Sequence, residues 1–295
     1  MSASSDSTPL TALSDALAGL AQGAGRSVVS VHSHRALSSG FAWKPHLVIT
    51  ADEALADEGD VAVTLPGGER KKATILGRDP TTDVALLRVD TTSLVPVALD
   101  NTVPALGALA VTIGSKSGHP VAALGLVATS GPAWRSMRGG EIDARIELDH
   151  SLRRYAEGGL AVDAAGRAFG MPVFGPRRRV LVIPAETIAR VAGQLETRGK
   201  VGRGYLGLGL HPVRLDQDGG AGAMVMSVDR DGPGAKAGIR QGDVIVTFDG
   251  NRISGLGNLL RSLGPSSIGK TVSVKLQRGG EIVTADLVIG ERPEA

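Results

Sequence analysis

Few side chains in this sequence combine the type and the spacing that catalysis needs. His150 and Ser151 place a base next to a hydroxyl, but neighbouring residues on a strand point to opposite faces. His32 and His34 would share a strand face, as two metal ligands can, yet the sequence offers no evident third ligand. We therefore expect surface histidines at residues 32 and 34, and no catalytic pair at residues 150 and 151.

Composition excludes several further classes of site. The chain has no cysteine, which excludes thiolate nucleophiles, disulfides and cysteine-based metal sites. A formal net charge of +2 over 295 residues is too small to indicate a nucleic-acid partner. The segment 114–118, Gly-Ser-Lys-Ser-Gly, has the composition of a phosphate-binding loop, but no helix pattern follows it. A hairpin turn is the better interpretation of that segment.

The elements that must position any site are mostly short strands. Hydrophobic residues make up 42% of the chain, and 41 glycines and 15 prolines provide frequent turns. Many short strands at even spacing indicate barrels or sandwiches. Helical spacing occurs in two places before residue 200: Leu10, Leu13, Leu17 and Leu20 predict a short N-terminal helix, and residues 184–198 predict a longer one that ends at Gly199.

The C-terminal part carries four motifs in a fixed order. They are residues 204–208 (Gly-Tyr-Leu-Gly-Leu), 231–239 (Asp-Gly-Pro-Gly-Ala-Lys-Ala-Gly-Ile), 241–245 (Gln-Gly-Asp-Val-Ile) and 249–253 (Asp-Gly-Asn-Arg-Ile). In order and spacing these motifs resemble the circularly permuted PDZ domains of bacterial HtrA/Deg proteins. The resemblance implies a module that binds peptide C-termini or extended segments.

Elementary chemistry is consistent with that implication. Backbone N–H groups of a glycine-containing loop can hold a terminal carboxylate, and an adjacent edge strand can accept an extended peptide. Leucines on a following helix would form the wall of the groove, although some of them must serve the core, most simply Leu259 and Leu263. The expected peptide-binding residues are Tyr205, Leu206, Gly207, Leu208, Leu256 and Leu260.

The upstream part resembles the HtrA/Deg protease domain over residues 26–200. Its best section is residues 76–87 (Leu-Gly-Arg-Asp-Pro-Thr-Thr-Asp-Val-Ala-Leu-Leu), which places Asp83 at the position of the triad aspartate. The family has Val-Val-Thr-Asn-x-His-Val around its base, where this chain has residues 48–54 with Glu53 in place of the histidine. The family has Gly-Asn-Ser-Gly-Gly-Pro around its nucleophile, where this chain has residues 155–160 with Glu157 in place of the serine.

Both replacements remove groups that acyl transfer needs. The mechanism requires a hydroxyl whose proton an imidazole can take and later return. Glu157 has no hydroxyl, and Glu53 cannot exchange protons in both directions near pH 7 without a strongly raised pKa. Tyr155 stands where the family has the glycine whose N–H completes the oxyanion hole, so we expect that hole to be lost.

The resemblance also implies that Glu53, Asp83 and Glu157 converge. Three carboxylates within a few ångströms cannot all ionise cheaply, so at least one should be protonated, paired or metal-bound. Arg153 and Arg154 are close in sequence and are the expected partners. A hard cation such as Mg²⁺ or Ca²⁺ is the less favoured alternative, and we predict neither a metal nor a cofactor.

These observations predict a mainly β protein with two antiparallel trypsin-like β-barrels followed by a circularly permuted α+β PDZ domain. Residues 1–25 form an N-terminal segment with a short amphipathic helix. Residues 26–200 form the two barrels, including the linker helix 184–199, and residues 201–292 form the PDZ domain. The predicted function is that of a non-catalytic pseudoprotease that binds peptides or acts as a scaffold. The alternatives are an HtrA-like serine endopeptidase of protein quality control or another hydrolase that uses the carboxylates.

Location and assembly follow from weaker signals. The N-terminal residues are polar and lack a basic segment, which predicts a cytoplasmic protein without a signal peptide, although a shortened form of an exported protein would look the same. The sequence has no apolar run long enough to cross a membrane. HtrA-like trimers use N-terminal aromatic contacts, and the first aromatic residue here is Phe41, so those contacts are not evident and an oligomer is left open.

Overall fold

The computed structural model describes residues 8–34, 36–57, 59–91, 93–175, 179–215 and 220–293. The chain divides into two compact units, one formed by residues up to Val201 and one that begins at Gly202, with residues 137–140 grouped with the second. Residues 1–7 of the predicted N-terminal segment lie outside the described residues.

The first barrel is a closed, antiparallel sheet in the order β1-β2-β3-β6-β5-β4. Its interior is filled by aliphatic side chains such as Val29, Val31, Val63 and Leu87, each of them fully buried. This follows from strand periodicity, because alternate residues point into the barrel. The strands are β1 (Val28–Ser33), β2 (Ala36–Lys44), β3 (Leu47–Thr50), β4 (Val61–Thr64), β5 (Arg70–Asp79) and β6 (Val84–Val89).

The second barrel closes in the order β11-β14-β13-β12-β7-β8, and a two-stranded sheet of β9 and β10 lies outside it. Residues 114–118 belong to the tight hairpin between β7 and β8, as predicted, with Ser117 and Gly118 at positive φ. The strands are β7 (Leu109–Lys116), β8 (His119–Gly131), β9 (Trp134–Arg135), β10 (Glu141–Ile142), β11 (Arg145–Leu148), β12 (Leu160–Asp163), β13 (Ala168–Phe174) and β14 (Val180–Pro184).

Two helices flank the barrels in the chain. Helix α1 (Pro9–Gly25) begins after Thr8, whose hydroxyl accepts a hydrogen bond from the N–H of Thr11 at 3.3 Å. Helix α2 (Ala185–Arg198) buries an apolar face that includes Ile188, Val191 and Leu195, and it ends at Gly199 in the left-handed conformation.

The second unit is a five-stranded antiparallel sheet in the order β16-β17-β18-β20-β21, with β19 paired to β18 and a separate pair of β15 and β22. Its core includes Val225, Ile245, Val274 and Leu276. The strands are β15 (Gly204–Tyr205), β16 (Leu208–Arg214), β17 (Ala221–Val228), β18 (Val244–Phe248), β19 (Asn251–Arg252), β20 (Thr271–Arg278), β21 (Glu281–Val288) and β22 (Gly290–Glu291), and the helices are α3 (Pro233–Lys236) and α4 (Leu256–Ser262).

The predicted fold class is confirmed: two six-stranded antiparallel barrels precede a smaller α+β unit. Within the described part of the chain, no helix is both long enough and apolar enough to cross a membrane.

Candidate functional site

Asp83 lies in the turn between β5 and β6, and Asp79 holds that turn closed. The buried Asp79 carboxylate accepts hydrogen bonds from the N–H and the hydroxyl of Thr81, at 3.0 and 2.6 Å, and from the hydroxyl of Thr82 at 2.7 Å. The backbone of Asp83 then adopts a φ of +60°, which non-glycine residues rarely do. The position of Asp83 is therefore fixed by the turn that precedes it.

Glu53 lies in the loop after β3, and Arg78 on β5 anchors that loop. The Nε of Arg78 donates to Oδ1 of Asp52 at 2.5 Å, and its Nη2 donates to the Asp52 carbonyl at 3.1 Å. The N–H of Glu53 donates to Oδ1 of Asp83 at 2.7 Å. The loop therefore brings Glu53 against Asp83 through its backbone, while the residue itself is exposed.

Glu157 follows a 3-10 turn, Arg154–Ala156, and is only 3% exposed. Its carbonyl accepts a hydrogen bond from the N–H of Ser39 on β2 at 2.8 Å. The next residue, Gly158, has a φ of +81°, and a Cβ there would collide with the Ser39 carbonyl. A glycine is therefore required directly after Glu157, where the chain passes close to the first barrel.

The three carboxyl groups interact electrostatically. Burial, which is the largest cause, acts together with the charges of Glu53 and Glu157 and against the hydrogen bond from the N–H of Glu53, and the net effect raises the pKa of Asp83 to about 8. Burial also raises the pKa of Glu157, and the N–H of Phe174 and the charge of Arg154 oppose that rise. Asp83 is therefore mostly protonated near pH 7, which lowers the repulsion within the group.

The amide groups beside Glu157 are engaged within the 3-10 turn. The N–H of Glu157 donates to the carbonyl of Arg154 at 3.2 Å, and the N–H of Ala156 donates to the carbonyl of Arg153 at 2.8 Å. The carbonyl of Tyr155 accepts from the hydroxyl of Ser39 at 2.6 Å. In this arrangement the amide of Glu157 points back into the turn and is not presented to a substrate oxygen.

Glu53 and Glu157 share a cavity of about 490 Å³. Of the two arginines considered as partners, Arg154 lines this cavity and Arg153 does not. Leu152, Phe174 and Gly175 had no sequence signal that would place them here, because barrel closure alone brings β13 beside residues 151–157. The cavity is lined by Glu53, Ser151, Leu152, Arg154, Glu157, Phe174 and Gly175.

His150 and Ser151 point to different surroundings, as their adjacency predicts. The Nε2 of His150 lies 2.8 Å from the hydroxyl of Thr112, and its ring packs against Gly125, while Ser151 lines the cavity of Glu157. His32 lies 2.8 Å from the hydroxyl of Thr64. The expectation that His34 shares its strand face is wrong, because β1 ends at Ser33 and His34 occupies a turn at positive φ.

In the part of the chain that the structure describes, no three histidine or acidic side chains are grouped so that they could hold a metal ion. The charges of Glu53 and Glu157 raise the pKa of Asp83, yet the three residues do not form such a group.

The second unit places the predicted peptide loop between β15 and β16. Gly207 has a φ of +66°, and a Cβ there would come within 2.9 Å of the Gly232 backbone. The carbonyl of Leu206 accepts from the N–H of Gly234 at 2.7 Å, and that of Gly207 accepts from the N–H of Asp229 at 2.9 Å. These bonds hold the loop carbonyls against α3 and its preceding turn.

The predicted groove residues separate into two groups. The side chain of Leu206 is 4% exposed and belongs to the core, so a peptide-binding role for this residue is limited to its backbone, as the loop prediction has it. Leu256 is partly buried against the same core, while Leu260 is 54% exposed on α4. Strand β16 is outermost in the sheet order and contacts α4, so an open strand edge lies beside that helix.

Each of the two units matches the model of a known domain family. Residues 38–171 match the trypsin-like peptidase domain, and residues 204–289 match the PDZ domain.

Individual relatives match along both units. A probable periplasmic serine endoprotease, DegP-like, from Pseudomonas putida is 31% identical over 276 residues, which cover 88% of this chain and 57% of the relative. A protein of the same name from Bartonella henselae is 29% identical over 282 residues, covering 89% and 55%. The chain thus spans a little over half the length of these curated relatives.

Solved structures agree in fold. The serine endoprotease of Yersinia pestis superimposes with a TM-score of 0.69 at 24% identity, covering 93% of this chain and 97% of that one. The HtrA-type protease AlgW with a tripeptide superimposes with a TM-score of 0.67 at 25% identity, covering 94% and 98%.

The predicted cytoplasmic location is wrong. The relatives from Pseudomonas putida and Bartonella henselae are both named periplasmic, which points to an exported protein. The polar N-terminal residues carried too little information for the prediction that was based on them.

Proposed function

Since this chain is an HtrA/DegP-type homologue with a trypsin-like domain and a PDZ domain, we propose that it is a non-catalytic, exported peptide-binding protein. The observation that carries the proposal is that Glu157, which the sequence resemblance aligns with the nucleophile, is 3% exposed and has its amide bonded to the carbonyl of Arg154.

The nucleophile position argues against acyl transfer. A carboxylate that attacked a peptide carbonyl would form an anhydride, which is far less stable than the amide it replaces, so the step is strongly uphill. A serine hydroxyl avoids this by forming an ester. With its N–H directed to Arg154, Glu157 also fails to offer the backbone donor that would stabilise a tetrahedral oxyanion.

The base position argues in the same direction. Glu53 is exposed, and it lacks the imidazole that takes a proton from the nucleophile and returns it to the leaving amine. The adjacent Asp83 has a pKa raised by burial to about 8, so it is mostly neutral. A neutral acid cannot supply the negative charge that stabilises a protonated base.

The PDZ unit supports the binding half of the proposal. It has a loop with Gly207 at positive φ, an outermost strand β16, and the exposed Leu260 on the neighbouring helix. Together these can receive the terminal carboxylate, the backbone and the last apolar side chain of a peptide. We propose peptide or protein C-termini and extended segments as the partners.

A second candidate function is HtrA-like serine endopeptidase activity. The names of the relatives favour it directly, since the matched proteins are called serine endoproteases. Activity would require a nucleophile other than Glu157. Ser151 lines the cavity, but the adjacent His150 is engaged with Thr112 and stands apart from that cavity.

Casein hydrolysis separates the two candidates. Purified full-length chain incubated with fluorogenic casein should release no more fluorescence than buffer. A Ser151→Ala variant serves as the control, since any genuine activity that used Ser151 would disappear with it. Hydrolysis that co-purifies with the chain and is lost in the variant would refute the non-catalytic proposal.

A further inference from the structure

Strand β21 leaves one edge of the PDZ sheet open. It is outermost in the order β16-β17-β18-β20-β21, and within the described residues it pairs with β20 alone. The pairing runs from Glu281 to Val288 without a bulge, and the strand contains no proline. Prolines and bulges are the usual protection of an exposed edge, and a strand that lacks both is a template for pairing with another chain.

The backbone groups that face this edge follow from the alternation of an antiparallel ladder. The N–H of Ile289 donates to the carbonyl of Lys270 at 2.9 Å, so Ile289 and every second residue before it bond on the side of β20. The residues between them direct their N–H and C=O groups to the open edge, and their side chains are exposed. These residues are Ile282, Thr284, Asp286 and Val288.

The side chains along the edge are complementary to a second copy of themselves. About a two-fold axis through Ala285, Ile282 of one copy lies opposite Val288 of the other, and Thr284 lies opposite Asp286. The first pair joins two apolar side chains that are 61% and 56% exposed. In the second pair a hydroxyl can donate to a carboxylate. Cross-strand pairs of both kinds stabilise antiparallel sheets.

Neighbouring registers lack this complementarity. Only registers that keep the outward-facing residues opposite one another preserve the backbone bonds, so the axis can move by one residue at a time. With the axis at Thr284, Ile282 faces Asp286 of the other copy. With the axis at Asp286, the two Asp286 carboxylates face each other, and like charges directly opposite are destabilising. The chemistry of the edge therefore selects the register centred on Ala285.

The opposite edge of the sheet cannot pair continuously in the same way. The N–H of Val225 on β17 donates to the carbonyl of Asp243 at 2.8 Å, so the backbone of Val225 faces away from β16. Its partner Leu210, and Pro212 two residues later, therefore direct their backbone groups to the open edge of β16. Pro212 has no N–H to offer there, so a long ladder is interrupted at β16 and is open at β21.

We propose that β21 pairs antiparallel with β21 of a second copy of this chain, forming a two-fold dimer through the PDZ units. Each of the four outward-facing residues exchanges two hydrogen bonds with its partner in the other copy. Because a single strand pair is a small interface, the dimer should be weak and dependent on concentration. Both β16 edges stay free, so the pairing requires neither peptide binding nor the absence of catalysis.

Disulfide formation between two single-cysteine variants tests the register. The chain has no cysteine, so Thr284→Cys and Asp286→Cys each introduce the one reactive thiol. Residues opposite each other in a hydrogen-bonded pair lie about 5.5 Å apart between Cα atoms, which a disulfide can span, whereas two copies of residue 284 lie beyond its reach. In an equimolar, mildly oxidised mixture, the mixed disulfide should form about tenfold faster than either symmetric one, as measured by intact mass.

Sedimentation equilibrium tests the role of the backbone. The average mass of the native chain should rise with protein concentration. Thr284→Pro removes an edge donor and no bond to β20, and Pro212 occupies an outward-facing position of the same kind on β16. The variant should dimerise at least about tenfold more weakly, because bonds are lost on both sides of the axis. Thr284→Ala keeps the N–H and is the matched control, with a loss of about threefold or less.

Equal rates for the mixed and symmetric disulfides would overturn the inference, as would a native mass that does not change with concentration. Self-association of Thr284→Pro as strong as that of the native chain would also contradict it. If Thr284→Pro does not fold, the disulfide mixture still decides. Failure of these tests leaves the proposed function standing, because peptide binding and casein hydrolysis are measured separately.

Discussion

The N–H of Glu53 donates a hydrogen bond to Oδ1 of Asp83 over 2.7 Å. The bond links the loop after β3 to the turn after β5, and it opposes the rise in the pKa of Asp83 that burial produces. Because the backbone supplies the bond, the relation between the two positions does not depend on the side chain at residue 53. The two segments can therefore stay joined whatever side chain residue 53 carries.

Asp83→Asn should stabilise the barrel unit increasingly as the pH rises from about 4 to about 8. The folded-state pKa of Asp83 lies near 8 and the unfolded value near 4, so folding binds a proton in this window and stability is lost as pH rises. Asparagine keeps the acceptor for the N–H of Glu53 without the charge. The gain above pH 8 should be at least about 1 kcal/mol.

Tryptophan fluorescence during urea unfolding measures this effect selectively. The chain has two tryptophans, Trp43 on β2 and Trp134 on β9, and both lie in the first unit. A stability difference between Asp83→Asn and the parent that stays constant from pH 4 to pH 8 would show that Asp83 does not titrate as described.

Asp243→Asn should have the opposite pH dependence in the PDZ unit. Asp243 is 1% exposed and forms an ion pair with Arg278 at 2.8 Å. The hydrogen bonds that Arg278 donates hold the pKa of Asp243 below its ordinary value. The stabilisation is therefore present at neutral pH and is lost as the pH falls through that lowered pKa. Removing the charge should cost about 2 kcal/mol at pH 7.

Amide hydrogen exchange on the full chain reports this loss in β17, β18 and β20. The control is Asp286→Asn, which changes an acidic residue on β21 of the same unit. In this variant the amides of β17, β18 and β20 should exchange as slowly as in the parent. Unchanged exchange in Asp243→Asn at pH 7 would contradict the assigned role of the ion pair.

Glu157→Ser alone should not create a protease. Glu53 still occupies the position of the base, and the amide of residue 157 still donates to the carbonyl of Arg154. Casein hydrolysis should stay at background, and Glu53→His combined with Glu157→Ser should add little while the 3-10 turn remains. Turnover by the single variant would show that the site needs only its hydroxyl, contrary to the proposed loss of base and oxyanion donors.

Leu260→Glu should abolish the binding of peptides that end in Val, Leu, Ile or Phe. Burial of one such side chain contributes roughly 1.5–3 kcal/mol, so micromolar affinity should fall below detection. Ile282→Glu is the matched control, because Ile282 is 61% exposed on β21 and Leu260 is 54% exposed on α4. Titration of the full chain with peptides that have a free or an amidated C-terminus tests both the pocket at Leu260 and the recognition of the terminal carboxylate. If Leu260→Glu binds these peptides as well as the parent does, the groove lies elsewhere.

Sequence pattern predicted the fold well because its signals are local. The even spacing of short strands and turn residues indicated barrels, and leucine spacing on α4 separates the buried Leu259 from the exposed Leu260. The pattern could not show that Leu206 is buried, because a loop residue has no periodicity. Nor could it show that Phe174 and Gly175 line the cavity of Glu157, since closure of the second barrel joins segments that are distant in the chain.

Labelling with a serine-directed phosphonate tests the central claim most directly, because it requires only an activated nucleophile and no knowledge of the substrate. Purified full-length chain is incubated with the phosphonate at neutral pH, and its intact mass is then measured. We predict an unmodified mass, since Glu157 replaces the serine and Glu53 replaces the base. A stoichiometric adduct that maps to one serine, Ser151 or any other, would contradict the non-catalytic account.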